Sequence, residues 1–175
     1  MIKTDRLCLR RWRHTDADAL SVILGDPDVM RFSDAGTLAA SAQTEWLVDA
    51  VASSVLPVPL GSFAIALQGQ DTAIGYVQLM QRAQRTNDGQ AELGFRLARH
   101  VWGNGYATEA CRAILANAGQ LRDLKQIIAI VDPGNVGSVN VIGKLGMRDM
   151  QEVRFPGYDH PDHLYAVNLH DVTPE

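Results

Sequence analysis

Cysteine is scarce in this chain: Cys8 and Cys111 are the only two in 175 residues. That excludes a disulfide framework and suits a reducing compartment. No uninterrupted apolar run is long enough to cross a bilayer, and the opening residues, Met1-Ile2-Lys3-Thr4-Asp5-Arg6, are too polar for a signal peptide. A cytoplasmic protein with no membrane partner is the expectation. Positive charge is also in short supply, with 16 Lys and Arg against 20 Asp and Glu, a net charge of −4. This balance argues against direct nucleic-acid binding and suits a cationic amine or peptide. Repeats, low-complexity segments and clear linkers are missing, so residues 1–175 read as one domain. What is present is ordinary for a globular fold, 46% hydrophobic and 21% charged.

Apolar periodicity divides the chain into strands and helices. Residues 6–12 read as a first strand, and His14-Thr15-Asp16-Ala17-Asp18 starts a helix with Thr15 as its N-cap. Gly25-Asp26-Pro27-Asp28 breaks that helix. A second begins at Ser41 and carries Ala42, Trp46, Leu47, Val48 and Val51 on a broad apolar face. After an extended connector, residues 62–68, 73–81 and 90–97 form a three-strand meander. Its turns are Gly69-Gln70-Asp71 and Asn87-Asp88-Gly89, the latter a hairpin signal. A helix over about 105–119 crosses to a strand at 127–131, which such a connection makes parallel to the strand before it. A short helix over 137–145 closes at Gly146, and strands at 148–155 and 163–169 pair antiparallel. The fold class expected is α/β (α+β), a mixed, mostly antiparallel sheet of about seven strands flanked by helices.

Chemistry concentrates at Trp102-Gly103-Asn104-Gly105-Tyr106-Ala107-Thr108-Glu109-Ala110. The run before it, Ala91-Glu92-Leu93-Gly94-Phe95-Arg96-Leu97, alternates like a half-buried strand. The run after it sets Ala107, Ala110, Cys111, Ile114, Leu115 and Ala118 at helical spacing. Strand, glycine turn and helix N-terminus make a site for a phosphate-bearing ligand, because backbone N–H groups converge and the helix dipole favours an anion. Glycines also end strands for steric reasons alone, so the turn by itself leaves both readings open. A second stretch, Asn135-Val136-Gly137-Ser138 through Lys144-Leu145-Gly146-Met147, follows the buried run Ile127-Ile128-Ala129-Ile130-Val131.

Together these stretches resemble the GCN5-related N-acetyltransferases (GNAT), in the branch of the ribosomal-protein N-terminal acetyltransferases. Trp102 through Ala107 match the family's Arg/Gln-x-x-Gly-x-Gly/Ala loop except at the first position. Asn135 through Met147 resemble its Asn-x-x-Ser-x-x-x-x-x-Lys-x-Gly-Phe segment, and Thr4-Asp5-Arg6-Leu7 looks like the branch's opening strand. Gly143 departs from the Glu more usual in that branch. The resemblance spans essentially the whole chain and implies a single-domain GNAT fold with a splayed central strand pair.

It also implies acetyl-coenzyme A (acetyl-CoA) as cofactor. Main-chain N–H groups of Gly103, Asn104, Gly105, Tyr106, Ala107 and Thr108, after Trp102, would hold the diphosphate. Thr108 would add a hydroxyl, or stand as an exposed residue of the first helical turn. Glu109 reads as structural, an acid complementing the helix dipole. The pantetheine arm would lie between the splayed strands, against the backbone of Phe95, Arg96 and Leu97, where a main-chain donor would stabilise an oxyanion. Asn135 would bind the arm, and its position equally suits an N-cap. Ser138 would approach the thioester sulfur, or serve only as a polar first-turn residue.

Glu92 is the candidate proton acceptor, with an edge-exposed or salt-bridged carboxylate as the alternative. Tyr158 and Tyr165 are candidate donors to the departing thiolate, and each also reads as a packing aromatic. Cys111 and Cys8 read as core residues. No metal is expected, because His160-Pro161-Asp162-His163 lacks a third ligand type nearby in sequence.

The function implied is acetyl transfer to a primary amine, on a protein N-terminus or a small molecule, directly within a ternary complex. A catalytically silent CoA-binding sensor or interaction module is the alternative, and an unrelated phosphate-binding domain is a third reading. Segments 29–37 and 155–163 would shape the acceptor pocket, and a homodimer is left open.

Overall fold

In the computed structural model, which describes residues 1–33, 36–82, 85–155 and 159–171, eight strands form one sheet. They are β1 (Ile2–Lys3), β2 (Leu7–Arg11), β3 (Gly61–Leu67), β4 (Ala73–Met80), β5 (Gln90–Leu97), β6 (Gln126–Val131), β7 (Arg148–Val153) and β8 (Asp162–Asn168). Five helices accompany them: α1 (Ala17–Leu24), α2 (Pro27–Met30), α3 (Ala40–Ala52), α4 (Tyr106–Ala118) and α5 (Val136–Lys144). The strand order is β1-β2-β3-β4-β5-β6-β8-β7, and only the β5–β6 pair is parallel. The strand beyond the expected seven is β1, a two-residue edge paired through Ile2↔Leu9 and Lys3↔Cys8. It is too short to leave a periodic signal.

β3 is buried along nearly its whole length, without the alternation of a one-sided strand, because helices cover both faces of the sheet there. α1 and α3 pack on each other and on β4 and β3, while α4 lies against β2, β4 and β5. The α4 stripe predicted from spacing is the one that packs: Ala110, Cys111, Ile114, Leu115 and Ala118 are all buried. A side chain such as Ile114, fully withdrawn from water, contributes about 1.5–3 kcal/mol. Trp12, Trp46 and Tyr76 form an aromatic cluster under α3, with ring centroids 5.4 Å apart for the two indoles and 4.9 Å for Trp46 and Tyr76.

Two local readings need correction. Thr15 does not cap α1; Asp16 takes the N-cap position, and Arg13 caps the short 3-10 turn before it. The Asp16 carboxylate is committed instead to Arg10, whose guanidinium grips it with two bonds of 2.8 and 2.7 Å. That pair is almost fully buried, and Asp16 also accepts from the Arg13 N–H, so Asp16 rather than Thr15 organises the start of α1. Asn87-Asp88-Gly89 is not a tight hairpin either. It closes a longer loop between Met80 and Gln90, and the Gly89 carbonyl accepts from the N–H groups of Lys125 and Gln126. The turn thereby sets the start of β5 beside the start of β6.

That alignment is brief. β5 and β6 pair only at Gln90↔Gln126, Ala91↔Ile127 and Glu92↔Ile128. Further along, β5 stays with β4, from Leu93↔Leu79 to Leu97↔Gly75, and β6 stays with β8, from Ala129↔Tyr165 to Val131↔His163. The sheet opens there into a V.

Candidate active site

The V widens into a cleft of about 380 Å³, within the size range of small-molecule sites. Its floor comes from neighbouring strands in register. Tyr76 stands opposite Arg96, Gln78 opposite Gly94, and Met80 opposite Glu92. Strand alternation puts Glu92, Gly94 and Arg96 on the cleft face and turns the Leu93 and Leu97 side chains into the core. Phe32, Ser33 and Trp46 form one wall; Asp132, Asn135 and Ser138 stand on another. A larger depression of about 690 Å³ lies between α4 and the end of α5, but it is remote from the V and from every candidate catalytic side chain.

At the open end of β5 the chain turns through Trp102–Gly105 into α4. Gly103 and Gly105 sit at φ of +79° and +78°, the left-handed region that a Cβ disfavours. A Cβ on Gly103 would meet nothing within 4 Å, so backbone conformation, not crowding, explains the glycine. Gly105 is the N-cap of α4 and has no side chain to cap it. The first N–H groups of α4 therefore point outward without an intrahelical acceptor. The loop around them is fastened down: the Trp102 indole donates to the Leu97 carbonyl at 2.8 Å, and the Asn104 amide donates to the carbonyls of Val101 and Trp102. Thr108 is buried, which removes the exposed-residue reading.

Glu109 has a part that the dipole argument missed. Its carboxylate accepts from the Thr4 hydroxyl at 2.6 Å, the Arg6 backbone N–H at 3.0 Å and the Arg6 Nε at 2.7 Å. Arg6 also donates to the Asn104 carbonyl and lies over the Tyr106 ring. Burial pushes the Glu109 carboxyl up, but the bonds from Thr4 and Arg6 outweigh it and hold it below its usual range. The opening Thr-Asp-Arg and the loop's Thr-Glu-Ala are thus one structural unit, split by a hundred residues of chain.

Glu92 lies in the cleft with its side chain 13% exposed. Arg85 donates to Oε1 at 3.3 Å, while Oε2 is buried, accepts no hydrogen bond and has Arg82 Nε at 3.6 Å. Across the V, the Asn135 Oδ1 accepts from the Ser138 N–H at 3.1 Å, so Asn135 is an N-cap of α5. Both side chains also line the cleft. Tyr165 does not join them: it sits on β8, half-buried against the core and stacked on His163. Tyr158 lies outside the described residues. Cys111 is fully buried, and burial pushes its thiol far up, as expected of a core residue.

Sequence reasoning passed over Tyr76, Gln78, Arg82, Arg85 and Trp46. The register of β4 against β5 exposes the first two, whereas helix and loop placement of the others leaves no pattern. His160 and Asp162 have a third potential ligand that their sequence neighbourhood does not show. Asp132, distant in sequence, joins them with ligand atoms within 4.8 Å of one another. His160 and Asp132 stand 3.6 Å apart as an ion pair when the imidazole is protonated.

A splayed parallel pair that opens beside an uncapped, glycine-led helix N-terminus defines an acyl-CoA-binding fold. The acetyltransferase (GNAT) domain family model matches residues 6–148, and the chain belongs to that family. It is 28% identical to the uncharacterized N-acetyltransferase p20 of Bacillus licheniformis, over 83% of this chain and 80% of that one. Its fold matches a GNAT acetyltransferase from Bacillus anthracis with a TM-score of 0.85 at 24% identity, covering 97% and 99% of the two chains. Mycobacterium smegmatis RimJ, solved with CoA-disulfide, matches with a TM-score of 0.76 at 21% identity, over 95% of this chain and 83% of that one. The protein is an acetyl-CoA-dependent N-acetyltransferase.

Proposed function

We propose that this protein moves an acetyl group from acetyl-CoA to a primary amine, of a small molecule or a protein N-terminus, directly within a ternary complex. The observation that carries this reading is the V itself. β5 parts from β6 after Glu92, and residues 93–97 lead through the turn at Arg99–Val101 into the glycine loop, so free backbone groups and outward helix N–H groups lie in succession along the chain. Acetyl-CoA, when bound, supplies an activated acyl carbon and a thiolate leaving group. The amides of Gly103 to Thr108 hold the diphosphate there, as a helix N-terminus does without any particular side chain. Main-chain N–H groups near Phe95 and Arg96 stabilise negative charge on the acyl oxygen. Asn135 positions the pantetheine arm while capping α5, and the Ser138 hydroxyl assists the departing sulfur.

An alkylammonium has no lone pair at neutral pH, so a proton must leave before attack. The Glu92 carboxylate receives it, directly or through one water. Its place in the cleft lining, with the side chain still 13% exposed, supports that role. The test is thiol release from acetyl-CoA across an amine panel, comparing wild type with Glu92→Gln. Loss of a general base lowers the rate by roughly 10²–10⁴-fold and flattens the acidic limb of the pH profile. Wild-type rates and profile in Glu92→Gln would remove the residue from the mechanism. Acetyl-CoA binding without release to any amine would favour the sensor reading instead.

A further inference from the structure

Arg96 is the cationic group of the cleft that has no carboxylate partner among the described residues. Arg82 and Arg85 are both engaged by Glu92. Among the described residues Arg96 makes one side-chain hydrogen bond, from its Nη1 to the Tyr76 hydroxyl at 3.1 Å. A guanidinium carries five N–H donors in a rigid fork, so most of its capacity faces the cleft. It is also partly buried, on the floor where Tyr76 and Gln78 stand across from it. Withdrawing such a group from water without a counter-charge is unfavourable, and an anion arriving in the cleft removes that cost.

The mounting is stiff. Tyr76 is buried and packed against the Trp46 ring at 4.9 Å and the Trp12 ring at 6.5 Å. Burial pushes the Tyr76 phenol up, with Arg96 pulling weakly the other way, so the hydroxyl stays protonated as a fixed acceptor. A guanidinium held in one orientation suits the planar, two-oxygen face of a carboxylate better than a diffuse charge would.

The position relative to the chemistry narrows the ligand. Glu92 and Arg96 share one face of β5, roughly 13 Å apart along the strand. Between them lies Gly94, where a Cβ would press on the Gln78 amide nitrogen at 2.9 Å. The Gln78 side chain therefore lies over the middle of the floor, with an acid at one end and, among the described residues, a cation without a carboxylate partner at the other. The cleft is small, which leaves room for a compact acceptor beside the acyl group.

We infer that Arg96 is a specificity-determining residue that binds a carboxylate carried by the acceptor close to its reacting amine. The acceptor is then an amino-carboxylate: a free amino acid, or a peptide whose first residue is Asp or Glu. The inference rests on the transfer reading above. The acceptor keeps its cationic amine, which the carboxylates of Glu92, Asp132 and Asp162 in the lining suit, and adds a carboxylate for Arg96.

The experiment compares matched acceptors. Free amino acids are set against their amides, and peptides beginning with Asp or Glu against those beginning with Asn or Gln, with thiol release as the signal. Wild type should favour the carboxylate member by about tenfold or more in kcat/KM, mostly through KM. In Arg96→Met that ratio should fall to near one, and in Arg96→Lys it should be intermediate. Using a ratio within each variant cancels any loss of folded protein or of acetyl-CoA affinity. Calorimetry of the same pairs on CoA-saturated protein gives the comparison without turnover. A wild-type ratio near one, or a ratio unchanged in Arg96→Met, overturns the inference. No transfer to any amine by a protein that binds acetyl-CoA overturns the transfer reading instead, and the calorimetric ratio still decides the role of Arg96. Which pair shows the preference, free or peptidyl, identifies the source of the carboxylate.

Discussion

Single residues in this fold serve two masters, and Ser138 separates them. Its backbone N–H belongs to the α5 cap through Asn135, whereas its hydroxyl is free to face the cleft. Ser138→Ala leaves the cap intact, since the bond is made by the main chain. Turnover should therefore fall while acetyl-CoA affinity and melting temperature stay near wild type. A fall in melting temperature with unchanged kinetics would reduce Ser138 to a helix-start residue. Asp16 makes the opposite case. It is buried beside Arg10, with side chains 7% and 6% exposed, far from the cleft. Burial pushes its carboxyl up, but the bonds from Arg10 and the Arg13 N–H, with the nearby positive charge, hold it below its ordinary range. A lowered carboxyl stabilises the fold above its unfolded value of about 3.9 and loses that contribution as pH falls through the folded value. Asp16→Asn leaves buried Arg10 with only the more distant Asp71 carboxylate, 3.7 Å away, and should cost about 3 kcal/mol, the low end for breaking a buried pair. Urea unfolding across pH should show the acid-side slope diminished in that variant.

At the scale of elements, the N-terminus of α4 explains why distant motifs travel together. The N-cap, Gly105, has no side chain, so the loop before α4 is fixed from elsewhere. Thr4 and Arg6 do this from β1–β2 through Glu109, and Trp102 and Asn104 do it from within the loop. The loop is preorganised, which reserves its N–H groups for a ligand. Gly105→Asp adds an anion and a Cβ at φ of +78°, where L residues are strained. Acetyl-CoA affinity should drop about tenfold or more, one or two charge-assisted bonds being worth on the order of 1.5–3 kcal/mol each. Calorimetry on the folded variant checks this, and unchanged affinity would remove the loop from the cofactor site.

For the whole molecule, the decisive feature is a sheet that parts in the middle without falling apart. Each half keeps a complete antiparallel partner, β4 for β5 and β8 for β6, so the V costs only the few bonds that a bound ligand can replace. Ligand binding should then slow amide exchange at residues 93–97 and 103–108 and leave β3, already buried on both faces, unaffected. Hydrogen-exchange mass spectrometry with and without acetyl-CoA measures it. Uniform slowing across the chain would point to global stabilisation and away from a track along β5. No helix among the described residues is long and apolar enough to span a membrane, in keeping with the polar edges of this sheet.

The elements of the sheet and the α4 stripe were legible in the sequence because apolar period reports burial directly. The phosphate-type loop was legible because positive φ demands glycine and leaves a mark at Gly103 and Gly105. Local turn and cap signals served less well where another partner competed, as at Thr15, beside the buried Arg10–Asp16 pair, and at Asn87-Asp88-Gly89, drawn to the start of β6. The side-chain environment of the cleft was not written in any local pattern. Glu92 could be placed on a face by alternation, but its two arginines come from a loop, and the isolation of Arg96 depends on what every neighbouring element fails to supply. Asp132, His160 and Asp162 meet only because β6 and β8 are adjacent. The sequence alone thus determined the family, the fold and the position of the glycine turn before α4, since those depend on spacing along the chain. Tertiary structure alone decided the charge pattern facing the acceptor, because electrostatic partnership is a matter of distance in space, to which spacing along the chain is blind.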